Sequence, residues 1–176
     1  MNPTPLYQGK FLTLAQRGRW EYATRTNATG VIAIVALHDD DRIVLIEQDR
    51  PAVGARVIEL PAGLAGDTDA SEPLLQAAKR ELEEETGYTA NHWATLPTVT
   101  CSAGLTDEEV TFFLATQLTQ TSAGGGVDGE DITRHEIPLA ILAQWLAKRQ
   151  ATGLKIAATL LAGVYAATAM KEELKG

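Results

Sequence analysis

The stretch that decides the fold lies at residues 66–88 and reads GDTDASEPLLQAAKRELEEETGY. Its second half contains no helix breaker before Gly87, and glycine commonly ends a helix in the left-handed conformation. Ser71 suits an N-cap position, and Pro73 suits the first turn of a helix. The stretch therefore predicts a helix that is capped by Ser71, has Glu72 and Pro73 in its first turn and ends before Gly87, with a glycine-containing turn before it.

A projection of this helix at 3.6 residues per turn divides its side chains between two faces. The apolar face contains Leu74, Leu75, Ala78 and Leu82, whereas the solvated face contains Gln76, Lys79, Arg80 and Glu83. Three other carboxylates, Glu81, Glu84 and Glu85, lie at the edge of the apolar face. If they were only part of a solvated helix end, we would expect them on the polar face instead.

These three carboxylates indicate a bound cation. A run of glutamates usually lies in solvent, but carboxylates that converge beside apolar surface raise one another's pKa unless a cation lies among them. Mg²⁺ prefers oxygen ligands and usually contacts a protein through one or two carboxylates plus substrate phosphates. Because Glu81 and Glu85 are four residues apart, they can reach one metal site. We therefore expect Glu81 and Glu85 to bind Mg²⁺, or alternatively Mn²⁺, with Glu84 one step aside.

The spacing of this stretch resembles the Nudix box, the signature of hydrolases that act on nucleoside diphosphates linked to another moiety. The matching positions are Gly66, Glu72, Arg80, Glu81, Leu82, Glu84, Glu85 and Gly87. The one departure is Tyr88, where an aliphatic residue is common. The resemblance implies a Nudix fold of class α/β (α+β), with a mixed β-sheet between helices in an α/β/α sandwich. We expect one Nudix domain over residues 1–176.

Other segments resemble the branch of this family that contains ADP-ribose pyrophosphatases and other nucleoside diphosphate sugar hydrolases. The turn before the box reads ELPAG at residues 59–63, and residues 48–51 and 102–108 also match that branch. The resemblance implies hydrolysis of a pyrophosphate bond, which gives a nucleoside monophosphate and a sugar phosphate. It also implies that the substrate is bound by Trp20, Glu21, Arg25, Arg50 and Gly104. For the two arginines, contact with phosphate suits the bidentate guanidinium group.

The turn before the box departs from that branch in its glycines. One glycine usually serves both the turn and the box, whereas here Gly63 and Gly66 are separate, which indicates an insertion of three residues. The backbone carbonyl that binds metal in the family is then that of Ala62 by the turn motif, or that of Ala65 by the box register. We favour Ala62.

A loop at residues 119–129, which contains the glycines 124–126, is predicted to be mobile. It leads into an acidic segment at residues 128–131. In the resembling branch, a glutamate of this loop activates or positions the attacking water. Glu130 matches that position best, and Asp128 is its rival; an ordinary acidic surface turn is the alternative.

Within the N-terminal residues 1–27, strands are predicted at residues 10–14 and 20–26. In the resembling branch an aromatic residue at the position of Trp20 stacks on the nucleobase, often across a homodimer whose N-terminal sheets are exchanged. The resemblance therefore implies a homodimer that uses an N-terminal antiparallel sheet. Elsewhere, predicted strands cover residues 31–37, 43–48, 94–100, 110–116 and 132–137, and predicted helices cover residues 139–149 and 154–173.

Composition narrows the partners and the location. The net charge of −8 argues against nucleic acid and anionic membrane as partners, because both carry negative charge. The single Cys101 excludes an intrachain disulfide, and no secretion signal is visible, so we expect a cytoplasmic location. The most apolar stretch, residues 156–170, is shorter than the ~20 residues that a bilayer requires.

Two alternatives to the predicted activity stay open. One is a different Nudix substrate, such as a nucleoside triphosphate or a dinucleoside polyphosphate. The other is a Nudix-type ligand sensor without catalysis, although such sensors typically lose box carboxylates that are all present here. Ala103 stands where many ADP-ribose-specific relatives have proline, so the choice of base and sugar is also open.

Overall fold

The computed structural model describes residues 2–67, 69–127 and 129–173. Within these residues, eleven strands form two sheets and three α-helices pack on the larger sheet. The smaller sheet is N-terminal and antiparallel, in the order β1-β2-β3. Its strands are β1 (Thr4–Gln8), β2 (Leu12–Arg17) and β3 (Trp20–Arg25). The predicted N-terminal antiparallel sheet is therefore present.

The larger sheet contains the remaining strands in a mixed arrangement. They are β4 (Gly30–Leu37), β5 (Arg42–Arg50), β6 (Ala55–Glu59), β7 (Ala62–Ala65), β8 (Tyr88–Thr100), β9 (Glu109–Gln120), β10 (Thr133–Pro138) and β11 (Lys155–Ile156). The main order is β11-β6-β5-β4-β9-β8, with β7 paired to β4 and β10 paired to β5. The β4–β9 and β11–β6 pairs are parallel, and the others are antiparallel. The sheet is mixed, as predicted.

Helices cover both faces of this sheet. They are α1 (Leu74–Thr86), α2 (Leu142–Ala151) and α3 (Ala158–Glu173). Side chains alternate between the faces of a strand, so a strand covered on both sides is apolar at every position. In β4, one set of alternate residues packs with α1 and the other set packs with α2 and α3; the sets are Ile32, Ile34 and Ala36, and Ala33, Val35 and Leu37. The predicted α/β/α sandwich is confirmed.

The start of α1 differs from the prediction. Ser71 does not cap the helix, because its N–H and its hydroxyl both donate to Asp69 Oδ1, at 2.9 and 2.7 Å. The helix begins at Leu74 and its N-cap is Pro73, whose carbonyl accepts the N–H of Gln76 at 2.8 Å. A local turn therefore takes the cap residue that the sequence offered to the helix.

The apolar C-terminal helix packs on the sheet, with Leu160 and Ala167 buried in the core. Among the described residues, no helix combines the length and the apolar character needed to cross a membrane.

Candidate active site

The C-terminal half of α1 brings its carboxylates against β7. Glu85 is buried, with 4% of its surface exposed, and its Oε2 accepts the backbone N–H of Ala62 at 3.0 Å. Burial raises the pKa of Glu85 to about 9, because the charged form is poorly solvated there. The charges of Glu81 and Glu130 also raise that pKa, whereas the hydrogen bond from Ala62 lowers it.

Glu81 lies one turn before Glu85 and is also largely enclosed. The pKa of Glu81 is raised to about 7, chiefly by burial. The charges of Glu84 and Glu130 contribute in the same direction, whereas Arg80 lowers the pKa. A Cβ atom on Gly63 would overlap the Glu81 carboxylate. Only glycine at position 63 therefore allows Glu81 to lie against β7.

Arg80 is the organising cation of the cluster. Its Nη1 donates to Glu81 Oε1 at 2.9 Å and to Glu84 Oε2 at 3.1 Å. Its Nε donates to Glu72 Oε1 at 3.1 Å, and its Nη2 donates to the carbonyl of Leu64 at 3.1 Å. The prediction that Arg80 belongs to a solvated face was wrong, because the long side chain extends from its helix position back over the carboxylates and β7. Its place in the box register was the signal that could have identified this role.

The backbone of β7 distinguishes Ala62 from Ala65. Hydrogen-bonded and non-hydrogen-bonded pairs alternate along an antiparallel ladder, and the carbonyl of Pro61 accepts the N–H of Ile34 at 2.8 Å. The N–H and the carbonyl of Ala62 therefore point away from β4, and that N–H reaches a box carboxylate. The carbonyl of Ala65, by contrast, accepts both the N–H and the hydroxyl of Thr29, at 2.8 and 3.1 Å.

The two glycines that compete for one motif position have different places in the fold. Gly63 lies within β7 beneath Glu81. Gly66 follows the strand with φ +79°, where a Cβ atom would overlap the Thr29 side chain. Gly63 thus allows contact with the carboxylate cluster, and Gly66 turns the chain toward the helix.

Glu130 faces the same cluster from the loop between β9 and β10. Its charge raises the pKa of both Glu81 and Glu85, and its Oε2 accepts the N–H of Val127 at 3.2 Å. The rival residue, Asp128, lies outside the described residues. The predicted mobile glycines are held by the helix end, since Gly125 N–H donates to the carbonyl of Glu85 at 2.9 Å.

Both predicted phosphate-binding arginines are paired with glutamates. Arg50 Nη2 lies 2.7 Å from Glu59 Oε2, and its charge lowers the pKa of Glu85. Arg25 Nε donates to Glu108 Oε2 at 2.6 Å. Arg50 therefore belongs to the surroundings of the carboxylate cluster, and Arg25 holds β3 to the loop before β9.

The other predicted substrate-binding residues form a second group around β3. The N–H of Ala23 donates to the carbonyl of Leu105 at 2.8 Å, which joins the strand to the loop that contains Gly104. Trp20 is 55% exposed and borders a cavity of about 350 Å³, and the neighbouring Glu21 is exposed. The residues that line the cavity also include Arg17, Tyr22, Ala103, Asp107 and Glu109. No hydrogen bond or ion pair between described residues joins this group to the box carboxylates.

The donor set near Ala62 fits a hard divalent cation. The described part of the chain contains no group of three or more His, Cys, Asp or Glu side chains that could hold a metal ion by themselves. Burial nevertheless raises the pKa of both Glu81 and Glu85, so a cation bound beside them would favour their charged forms. One or two carboxylates, completed by substrate phosphates, are the protein ligands that Mg²⁺ usually has.

Comparisons with known proteins agree with this geometry. The family model of the NUDIX domain matches residues 27–156. An ADP-ribose pyrophosphatase of Mycobacterium tuberculosis is 37% identical over 142 residues, which are 80% of this chain and 66% of that protein. A GDP-mannose pyrophosphatase of an Enterobacter species is 36% identical over 117 residues, which are 62% of this chain and 59% of that protein. This chain belongs to the Nudix family.

A solved structure supports the fold. The crystal structure of an ADP compounds hydrolase superposes with a TM-score of 0.72 at 21% identity, over 100% of this chain and 93% of that one. The chain spans less than two thirds of the length of the two pyrophosphatases that it matches.

Proposed function

We propose that the chain hydrolyses the pyrophosphate bond of ADP-ribose or a related nucleoside diphosphate sugar. The observation that carries the proposal is the pair of enclosed carboxylates, Glu81 and Glu85, against the backbone of Ala62, whose N–H donates to Glu85 Oε2. The names of the relatives, ADP-ribose pyrophosphatase and GDP-mannose pyrophosphatase, support this class of substrate. The products are a nucleoside monophosphate and a sugar phosphate.

Glu81, Glu85 and the carbonyl of Ala62 are the proposed metal ligands. Mg²⁺, with Mn²⁺ as the alternative, would neutralise the negative charge on the phosphate oxygens when bound. The direction of the Ala62 carbonyl supports it over Ala65, whose carbonyl already accepts two hydrogen bonds from Thr29. Arg80 holds Glu81 and Glu84 in place through its guanidinium group.

Glu130 and Glu84 are the proposed groups that handle the attacking water, and Asp128 stays the rival of Glu130. A carboxylate accepts a proton from the water as its oxygen attacks one phosphorus, and the bridging oxygen leaves with the other phosphate. Arg50 is the proposed phosphate contact: its guanidinium group would leave Glu59, its ion-pair partner, and bind a phosphate oxygen of the substrate. Each group acts by position and charge, which is what phosphoryl transfer requires.

We further propose that Trp20, Glu21, Arg25 and Gly104 bind the nucleoside, in a homodimer formed through the N-terminal sheet. Exposed apolar side chains on that sheet support the dimer, since large exposed apolar patches usually mark interfaces. They include Tyr7, which is 71% exposed, and Phe11, which is 61% exposed. The acidic charge supports the expectation of neither nucleic acid nor membrane as partner, and the single free Cys101 supports a cytoplasmic location.

A substrate panel tests this activity. The purified protein is incubated with ADP-ribose, GDP-mannose, UDP-glucose and dATP, each with Mg²⁺ and with Mn²⁺, and the products are separated. We expect the nucleoside diphosphate sugars to be hydrolysed faster than dATP. A clear preference for dATP would instead favour the alternative of a nucleoside triphosphate substrate.

A further inference from the structure

The loop that contains Glu130 is bound to the end of α1 through its backbone. The N–H of Gly125 donates to the carbonyl of Glu85 at 2.9 Å, and the N–H of Gly126 donates to the carbonyl of Glu84 at 3.0 Å. The last carbonyls of a helix have no partner within the helix, so these bonds satisfy two of them. They also fix the position of the loop relative to Glu84 and Glu85.

This contact requires glycine on both sides. Gly87 ends the helix at φ +74°, and a Cβ atom there would overlap the carbonyl of Ser122. Gly124, at φ +67°, faces it, and a Cβ atom there would overlap the backbone of Thr86 and Gly87. The loop and the helix end therefore meet backbone to backbone, with no side chain between them.

Gly126 has a second neighbour, the side chain of Glu130. A Cβ atom on Gly126 would lie 2.6 Å from Glu130 Oε2 and 2.7 Å from Glu130 Cβ, which is closer than real Cβ contacts. The same Oε2 accepts the N–H of Val127 at 3.2 Å. The Glu130 side chain is thus folded back over the loop backbone and held there.

We propose that Gly126 is a positioning residue for Glu130: the absence of a side chain at position 126 keeps the Glu130 carboxylate against the loop backbone, which is itself hydrogen-bonded to the end of α1 that carries the box carboxylates. This inference rests on the proposed function, in which Glu130 handles the attacking water. Gly126 touches neither substrate nor metal and acts only through Glu130.

The loop provides its own control residue. Gly126 has φ +88° and Gly129 has φ +89°, so a change to alanine places an L side chain at nearly the same positive φ at both positions. A Cβ atom on Gly129 would have no neighbour within 4 Å. Gly126→Ala therefore introduces a close contact with Glu130, and Gly129→Ala does not. Both variants place alanine at a positive φ.

The test compares the kinetics of the two variants with ADP-ribose and Mg²⁺. We expect Gly126→Ala to have a kcat about 10- to 100-fold below that of Gly129→Ala, because displacement of a catalytic group by about 1 Å has effects of that size. KM should differ by less than about threefold, since substrate binding is not altered. Thermal denaturation should give similar Tm values for both variants.

A double-mutant cycle separates positioning from a general structural effect. In a Glu130→Gln background, Gly126→Ala should cost no further activity, because the group that Gly126 positions is already lost. Should Gly126→Ala fail to fold, Val127→Pro takes its place in the cycle, since it removes the N–H that donates to Glu130 Oε2.

Two results would overturn the inference alone, provided that the wild type hydrolyses the substrate. They are equal kcat values for Gly126→Ala and Gly129→Ala, and an undiminished loss in the Glu130→Gln background. Full activity of Glu130→Gln would overturn both the inference and the role of Glu130 in the proposed function. Absence of nucleoside diphosphate sugar hydrolysis by the wild type would overturn the proposed function and this inference together.

Discussion

Glu85 is the residue whose protonation depends most strongly on folding. Its pKa rises from the ordinary value of 4.5 to about 9, chiefly because burial penalises the charged form. Between these values the folded protein keeps a proton that the unfolded chain has lost. The contribution of Glu85 to the free energy of unfolding of the metal-free protein therefore falls as the pH rises from about 4.5 toward about 9.

Replacement of Glu85 by glutamine should remove this loss of stability. In the presence of a chelator, we expect Glu85→Gln to be more stable than the wild type at pH 8, by about 1–3 kcal/mol, and nearly equal to it at pH 4. Thermal denaturation across that pH range measures the difference. Glu83→Gln is the matched control, because Glu83 is exposed on the same helix and accepts a hydrogen bond from Thr121. Parallel pH curves for the wild type and Glu85→Gln would contradict the explanation.

At the residue scale, the sequence predicts the positions of the carboxylates better than it predicts which residues contact them. Helical projection placed Glu81 and Glu85 beside apolar surface, where the structure has them. It misplaced Arg80, because a projection represents the direction of Cβ and not the reach of a long side chain. The closeness of Gly63 to Glu81 depends on the packing of α1 on β7, which a single segment of sequence does not encode.

At the scale of elements, the site depends on the fit between α1 and β7. Arg80 donates to the carbonyl of Leu64, and Glu85 accepts the N–H of Ala62, so both ends of the contact are hydrogen-bonded. Gly63 lies between them at the point of closest approach. The helix and the strand therefore form one rigid support for the carboxylates.

Gly63→Ala should displace the Glu81 carboxylate from its place against β7. The added methyl group would overlap the Glu81 carboxylate, so we expect kcat for ADP-ribose to fall about 100-fold. Gly30→Ala is the control on the neighbouring strand, because its Cβ atom would meet the flexible end of Leu74 at 2.6 Å. Initial rates with Mg²⁺ distinguish the two. Equal rates for both variants would show that Gly63 does not govern the position of Glu81.

Elements with a strong periodic pattern were predictable, and short elements were not. The box helix, β4 and β5 appear close to their predicted ranges because their apolar periodicity is continuous. The strand β7 reads AGLA and was not separated from its turn, since four small and apolar residues have no helix or strand signature. Its conformation comes from pairing with β4, which is a tertiary interaction.

At the scale of the whole molecule, the N-terminal sheet leaves several large apolar side chains exposed in a single chain. Tyr7, Phe11 and Leu12 border an apolar surface cavity of about 410 Å³, and Trp20 at the start of β3 is also exposed. The sequence predicted the strands of this sheet in part and missed β1. Its partner was predicted only from the family resemblance, because exposed apolar residues do not specify what covers them.

Deletion of residues 1–27 should therefore cost both the dimer and the activity. We expect the wild type to have the mass of a dimer in light scattering and the truncated protein to have the mass of a monomer. Hydrolysis of ADP-ribose should fall with the loss of Trp20 and Arg25. Circular dichroism is the control, and it should show that the rest of the region matched by the NUDIX family model still folds. A fully active monomer would contradict the proposed dimer site.

The central claim is that Glu81 and Glu85 support metal-dependent hydrolysis of a nucleoside diphosphate sugar, and one measurement tests it most directly. The rate of AMP release from ADP-ribose with Mg²⁺ is compared among the wild type, Glu81→Gln and Glu85→Gln. We predict turnover by the wild type and rates at least about 100-fold lower in both variants, because each loses a charged ligand of the proposed metal ion, which would neutralise the phosphates. Undiminished rates in both variants would contradict the account, as would a wild type that hydrolyses no nucleoside diphosphate sugar.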